Sequence, residues 1–161
     1  MAYTRKRTAK RTRPKDRTCY ETAVYLLQFR DQSEKDLTRK LKEREYTEKE
    51  IEEAMERLRD YEYVNDEDLA DELFEAYRRR AQYGDAYIHQ KLKLKGLATE
   101  KHLQLEEEIE MAAALLQKKW GMSPKLRTDF KKSASFLLRR GFSHDAVMTV
   151  MHEMDFEEIE E

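Results

Sequence analysis

Leu37-Thr38-Arg39-Lys40-Leu41-Lys42-Glu43-Arg44-Glu45-Tyr46-Thr47 has the form of a short amphipathic helix, a turn and the start of a second helix. The pattern recurs as Ile88-His89-Gln90-Lys91-Leu92-Lys93-Leu94-Lys95-Gly96-Leu97-Ala98. It recurs again as Ser133-Ala134-Ser135-Phe136-Leu137-Leu138-Arg139-Arg140-Gly141-Phe142-Ser143. Leu41, Leu92 and Leu137 occupy the same place, and a cation (Arg44, Lys95, Arg140) precedes each turn residue. An apolar residue then folds back (Tyr46, Leu97, Phe142), and a small or capping residue opens the next helix. The copies lie 51 and 45 residues apart, a period typical of helical arrays. The third fits least well, because Ser133, Phe136 and Leu138 replace apolar or cationic positions of the other two.

The surrounding pattern is helical throughout. Ala23, Leu26, Leu27 and Arg30 begin it, with Tyr20 one turn earlier. Ser33 is an N-cap with Asp36 three residues on, and Thr47 with Glu50 makes a capping box. Behind that box Ile51, Ala54, Met55 and Leu58 line one face. Asp66 is expected to cap the next helix, with Leu69, Leu73, Ala76 and Tyr77 inward. Gly84 marks a break, and Gly96 is a C-terminal cap glycine. Thr99 to about Lys119 is helical in tendency with a break inside it that the pattern does not place, and Gly121 to Pro124 is expected to be a loop. A helix carrying Phe130, Ala134, Leu137 and Leu138 ends at Gly141. Ser143 caps the last helix, with Val147, Val150, Met151 and Met154 inward. Helices of about 12 residues are marginal alone, so three must pack together to bury their stripes. The expected fold is all-α: three tandem three-helix repeats in an elongated, curved array. The expected boundaries are a basic disordered arm 1–17, repeats 18–62, 63–106 and 107–155, and an acidic tail 156–161.

Composition agrees with a thin core. Of the 161 residues 41% are charged and 39% hydrophobic, with only 4 Gly and 2 Pro. The single Cys19 can form no internal disulfide, which fits a reducing, cytoplasmic setting. No run of about 18 apolar residues is present to span a membrane. The net charge of -2 conceals an asymmetry. Arg5, Lys6, Arg7, Lys10, Arg11, Arg13, Lys15 and Arg17 stand against Asp16 alone, whereas six of the last nine residues are acidic. Such an arm can touch nucleic acid through phosphate neutralisation. With Tyr3 as its one aromatic, it does not read as a base-stacking element.

These residues resemble the RecX family, regulators of the bacterial recombinase RecA. The matching stretches are Arg30-Asp31-Gln32-Ser33-Glu34-Lys35-Asp36-Leu37-Thr38-Arg39-Lys40-Leu41, then Tyr63-Val64-Asn65-Asp66 with Leu69-Ala70. Ile88 to Leu97 and Phe136 to Phe142 follow in family order. The family often has Gly where Glu45 stands, Asp-Asp in place of Asn65-Asp66, and Gly-Pro in place of Asp85-Ala86. The resemblance implies a non-enzymatic protein of DNA repair, recombination and the SOS response. It would bind along the RecA–DNA filament, inhibit ATPase and strand exchange, and need no cofactor. A cytoplasmic monomer with weak affinity for single- or double-stranded DNA is expected.

The candidate contact residues are Arg39, Lys40, Lys42, Arg44, Lys91, Lys93, Lys95, Arg139 and Arg140, with Arg5, Lys6, Arg7, Lys10, Arg11 and Arg13 in the arm. A solvated helix face with i, i+4 pairs explains any one of these cations. Their recurrence at the second helix of each copy favours a stripe facing phosphates or an acidic protein surface. Arg78-Arg79-Arg80 is a separate run at a helix C-terminus, which favours cations in any case. Asn65-Asp66-Glu67-Asp68 reads as a helix start rather than an acid–base cluster. His89, His102, His144 and His152 form no compact ligand motif, so no metal is expected. Trp120 reads as a packing anchor between repeats, and the tyrosines as seam fillers. No phosphate-binding loop is present. A stand-alone DNA-binding module of helix-turn-helix type is the alternative, but the body without its arm is net acidic and lacks a base-reading helix start.

Overall fold

A computed structural model describes residues 16–154; the arm residues Arg5, Lys6, Arg7, Lys10, Arg11 and Arg13 and the acidic tail lie outside them. Every regular element among the described residues is helical. In order these are α1 (Cys19–Leu27), α2 (Glu34–Glu43), α3 (Glu48–Asp60), α4 (Asp66–Arg80), α5 (Asp85–Leu94), α6 (Leu105–Met122), a 3-10 turn (Pro124–Thr128), α7 (Phe130–Arg139) and α8 (His144–Glu153). None is long and apolar enough to cross a membrane. The chain forms two compact units that divide after Leu69, within α4.

The first unit packs α1, α2 and α3 around Ala23, Leu26, Leu37, Leu41, Ile51, Met55 and Leu58. Its helices are short, and side chains satisfy their first amides. Thr18 and Glu21 form a capping box on α1, as Thr47 and Glu50 do on α3, and Ser33 Oγ accepts from the Asp36 amide on α2. Tyr46 enters the core with 4% exposure. Its hydroxyl lies 2.7 Å from Thr22 Oγ1 and donates to the Arg17 carbonyl at 2.9 Å, so the buried polar end is satisfied.

In the second unit Ala112, Leu116 and Trp120 of α6 pack on Leu137, Phe142, Val147, Val150 and Met151. Trp120 therefore belongs to the core made by α6, α7 and α8 and does not bridge repeats. Its indole N–H donates to Ser133 Oγ at 3.1 Å, and Ser133 Oγ donates to the Leu126 carbonyl at 2.8 Å. That pairing explains a serine at a fully buried position where the other copies carry apolar residues.

The three turns singled out in the sequence share one hydrogen-bond pattern. Glu45, Gly96 and Gly141 have φ of 66°, 72° and 82°. Each donates its amide to the residue three before it, Lys42, Lys93 or Leu138. The following Tyr46, Leu97 and Phe142 amides reach back to the carbonyls of Leu41, Leu92 and Leu137. This is the Schellman arrangement, with the apolar residue after the turn buried over the helix end. Glu45 adopts the left-handed conformation with a Cβ, which costs about 1 kcal/mol that glycine would avoid.

Three further expectations are corrected. Asn65, not Asp66, caps α4: its Oδ1 accepts from the Asp68 amide at 3.1 Å. Asp66 instead accepts the Glu34 amide at 3.0 Å and so caps α2 from outside that helix. The core face of α4 carries Ala70 and Phe74, while Leu69, Leu73, Ala76 and Tyr77 are half-buried. The loop expected from Gly121 starts later, because α6 runs on past Gly121 to Met122. The unplaced break in the preceding stretch falls at residues 99–104. Locally, Thr99 Oγ1 accepts the Lys101 amide at 3.1 Å and the Gln104 amide donates to Glu107 at 2.9 Å; side chains from earlier in the chain hold the segment as well. Thr99 Oγ1 donates to Asp71 at 2.6 Å, and Asp85 Oδ1 accepts the Leu103 amide at 2.7 Å.

Candidate partner-binding faces

The end of α2 gathers most of its cations into one place. Arg39 and Lys40 are in its last turns, Arg44 is its C-cap, and Arg30 comes from the loop before it. Lys40 is half-buried, and its ammonium donates to Gln32 Oε1. The Gln32 amide is in turn fixed by the Leu26 carbonyl at 3.0 Å. Burial and then the positive charges of Arg30, Arg39 and Arg44 hold the Lys40 pKa below its ordinary value, with Asp36 opposing them. The Arg44 guanidinium donates to the Lys40 carbonyl at 2.9 Å, completing the helix end. Arg39 pairs with Glu43 at 2.7 Å and Lys42 with Glu48 at 3.9 Å, both exposed and therefore weak. Arg30 is the member that periodicity misses, because its spacing continues the α1 stripe.

The second unit holds its cations differently. Tyr83 and Tyr87 stack with ring centroids 3.8 Å apart at 6°. Lys91 Nζ lies 5.2 Å from the Tyr87 centroid. The Arg140 guanidinium sits 5.4 Å from Tyr83 and 5.0 Å from Phe136, and Lys119 approaches the other ring neighbour, Phe136, at 5.5 Å. Lys91 and Arg140, 49 positions apart, are thus joined through one aromatic stack. Lys93 and Arg139 are exposed on α5 and α7, and Lys95 is the half-buried C-cap of α5. Arg78 is committed to structure: it pairs with Glu75 at 3.1 Å and Glu107 at 3.0 Å.

A close backbone approach sets this geometry. The Gly84 amide donates to the Arg140 carbonyl at 2.8 Å. A Cβ on Gly84 would lie 2.3 Å from the Gly141 carbonyl oxygen, and one on Gly141 would lie 2.5 Å from the Tyr87 backbone nitrogen. Beneath this contact the buried Glu108 carboxylate accepts the Asp85 amide at 2.9 Å and the Ser143 amide at 2.8 Å. One α6 side chain thereby secures the starts of α5 and α8.

Two histidines that the sequence left apart also meet. His102 Nδ1 lies 2.8 Å and His89 Nε2 3.6 Å from Asp85 Oδ2. Their separation along the chain and the absence of a spaced motif hid this grouping.

Comparison with known proteins agrees with the helical repeats. Residues 19–58 match the first three-helix domain of RecX, and residues 106–151 match the third. The regulatory protein RecX of Actinobacillus pleuropneumoniae serotype 5b is 33% identical, with 89% of this chain and 96% of that protein aligned. The RecX of Trichlorobacter lovleyi is 29% identical over 80% of this chain and 90% of its own length. In fold, the crystal structure of RecX from Lactobacillus salivarius superposes with a TM-score of 0.73 at 24% identity, covering 84% of this chain and 93% of that one. On its sequence and its tandem helical units, this chain belongs to the RecX family of regulatory proteins.

Proposed function

We propose that the protein binds the RecA–DNA filament and inhibits its ATPase and strand exchange, with the α2 cluster as a main contact. The observation that carries this reading is the crowding around Lys40. Arg30, Arg39, Lys40 and Arg44 repel one another at the end of a short helix, and Lys40 is partly withdrawn from water. The helix end and the bonds to Gln32, Glu43 and the Lys40 carbonyl offset that repulsion only in part. An external anion, either DNA phosphate or a carboxylate on a protein surface, would neutralise it. The aromatic-backed Lys91 and Arg140 supply a second contact, and Lys93 and Arg139 add exposed charge. The arm adds affinity for bound DNA through its phosphates.

Inhibition requires more than binding. A ligand with equal affinity for the active and inactive filament shifts nothing, so the protein must favour the inactive arrangement. The test is RecA ATPase on single-stranded DNA with increasing amounts of this protein. Slowing is expected at several-fold molar excess over filament sites, and it should be largely lost in the triple variant Arg39→Gln, Lys40→Gln, Arg44→Gln. An unchanged ATPase rate with the unmodified protein would overturn the reading. Full inhibition by the triple variant would remove the α2 cluster from it. The repeat boundaries 18–62, 63–106 and 107–155 remain our reading of how the functional pieces are divided.

A further inference from the structure

We propose that Asp85, His89 and His102 form a binding site for a divalent transition metal, Zn2+ being the best match. Their donor atoms all lie within 4.8 Å of one another. Ligands around a tetrahedral zinc sit about 2.0–2.2 Å from the metal, hence roughly 3.3 Å from each other. Asp85 Oδ2 already stands 2.8 Å from His102 Nδ1 and 3.6 Å from His89 Nε2, on either side of that spacing. To admit the ion, the two stacked rings turn their donor nitrogens toward one point beside Asp85 Oδ2. Two imidazoles and one carboxylate with an open position are a donor set suited to zinc, and unsuited to calcium or magnesium, which prefer oxygen alone.

The site is built rather than incidental. Asp85 and His89 are one turn apart on α5 and so share a helix face. The second oxygen of Asp85 accepts the Leu103 amide at 2.7 Å, which fixes the carboxylate and leaves Oδ2 directed at the histidines. The His89 ring is held between Phe74, at 5.9 Å, and His102, stacked at 4.5 Å. The nearby cations are neutralised: Lys101 pairs with Glu75 at 3.0 Å, and Arg78 with Glu75 and Glu107. The His102 side chain is 59% exposed, so the ion and its remaining ligands can approach from solvent.

Binding exchanges hydrogen bonds for coordination. His102 gives up its contact with Asp85, and His89 Nε2 gives up the Lys101 carbonyl at 3.0 Å. Each ring then carries its proton on the nitrogen facing away from the metal. The ion would clamp the non-helical segment 99–104 onto the start of α5, the link between α5 and α6 that lacks a helix of its own.

The experiment is Zn2+ titration of the full chain by calorimetry, with Co2+ absorption as a second readout of coordination number. One saturable site per chain is expected, with visible Co2+ bands of tetrahedral intensity. His89→Gln and His102→Gln should each weaken binding at least tenfold. His144→Gln should leave it unchanged. Far-ultraviolet circular dichroism checks that the variants remain folded, and the exposed His102→Gln keeps the test valid if His89→Gln does not fold. Absence of a stoichiometric site, or an unaltered affinity in His102→Gln, would overturn the proposal.

Discussion

At the end of α2 the cations crowd one another, whereas at the ends of α5 and α7 two of them lie over aromatic rings. The turns that follow differ in the same sense. Glu45 holds a left-handed conformation at a cost, while Gly141 holds it freely and lets the Tyr87 backbone approach. At the end of α2, then, charge is crowded and the turn that follows is strained. At the end of α7, charge and turn are both taken up in packing. Strain that folding does not use is where a partner's contribution is to be sought. The same motif can thus serve contact in one repeat and cohesion in another.

The contrast can be broken most forcefully at Gly141. Gly141→Ala meets both the left-handed backbone and the Tyr87 contact, and should lose about 3 kcal/mol in urea unfolding. A loss under 1 kcal/mol, on the order of an ordinary surface change, would mean the α5–α7 approach is not tight. Arg140→Met removes a guanidinium from two rings and should cost about 1 kcal/mol. Lys40→Met should leave the unfolding midpoint nearly unchanged, because relief from its cationic neighbours offsets the donor lost by Gln32. Equal losses in the two variants would erase the distinction between the units. Glu45→Gly should gain about 0.5 kcal/mol, since relief of the left-handed strain exceeds the added entropy of the unfolded chain.

The smallest expected effect concerns Asp66. Burial, followed in the same direction by the neighbouring Glu34 and Asp36 carboxylates, raises its pKa against the opposing Glu34 amide bond and Arg59. The folded state therefore holds this proton more tightly than the unfolded chain does. Its contribution is fully present below the ordinary carboxylate pKa and is lost as pH rises through the raised value. Asp66→Asn keeps an acceptor for the Glu34 amide and should remove that slope. Urea midpoints compared between about pH 4 and 7 would show it. A steeper pH dependence in the variant would contradict the assignment.

Much of the fold was legible because each repeat carries its own signals. Ser33, Thr47 and Ser143 cap the helices they precede, and the three turn residues are followed by the apolar side chains that fold back. These signals are local, and the amide they satisfy is three residues away. The errors arose where distant side chains decide. Between Leu97 and Trp120 no glycine or proline marks the break, and Asp71 and Asp85, from α4 and α5, help to fix it. Helix α4 has apolar residues on more than one face, so periodicity alone did not choose Ala70 and Phe74. The candidate contacts were legible as a recurrence of charge. Their chemistry was not, because Lys40 depends on Gln32 and Arg30 from a loop, and Lys91 and Arg140 depend on a tyrosine stack formed only in three dimensions.

The central proposal, a regulator that grips a recombinase filament, separates from a stand-alone DNA-binding module in one comparison. Labelled protein is titrated with RecA–single-stranded DNA filaments and with the same DNA bare, at one physiological salt concentration. The filament is expected to be bound about tenfold more tightly or better, a difference of at least roughly 1.4 kcal/mol. Equal affinity for filament and bare DNA would contradict it.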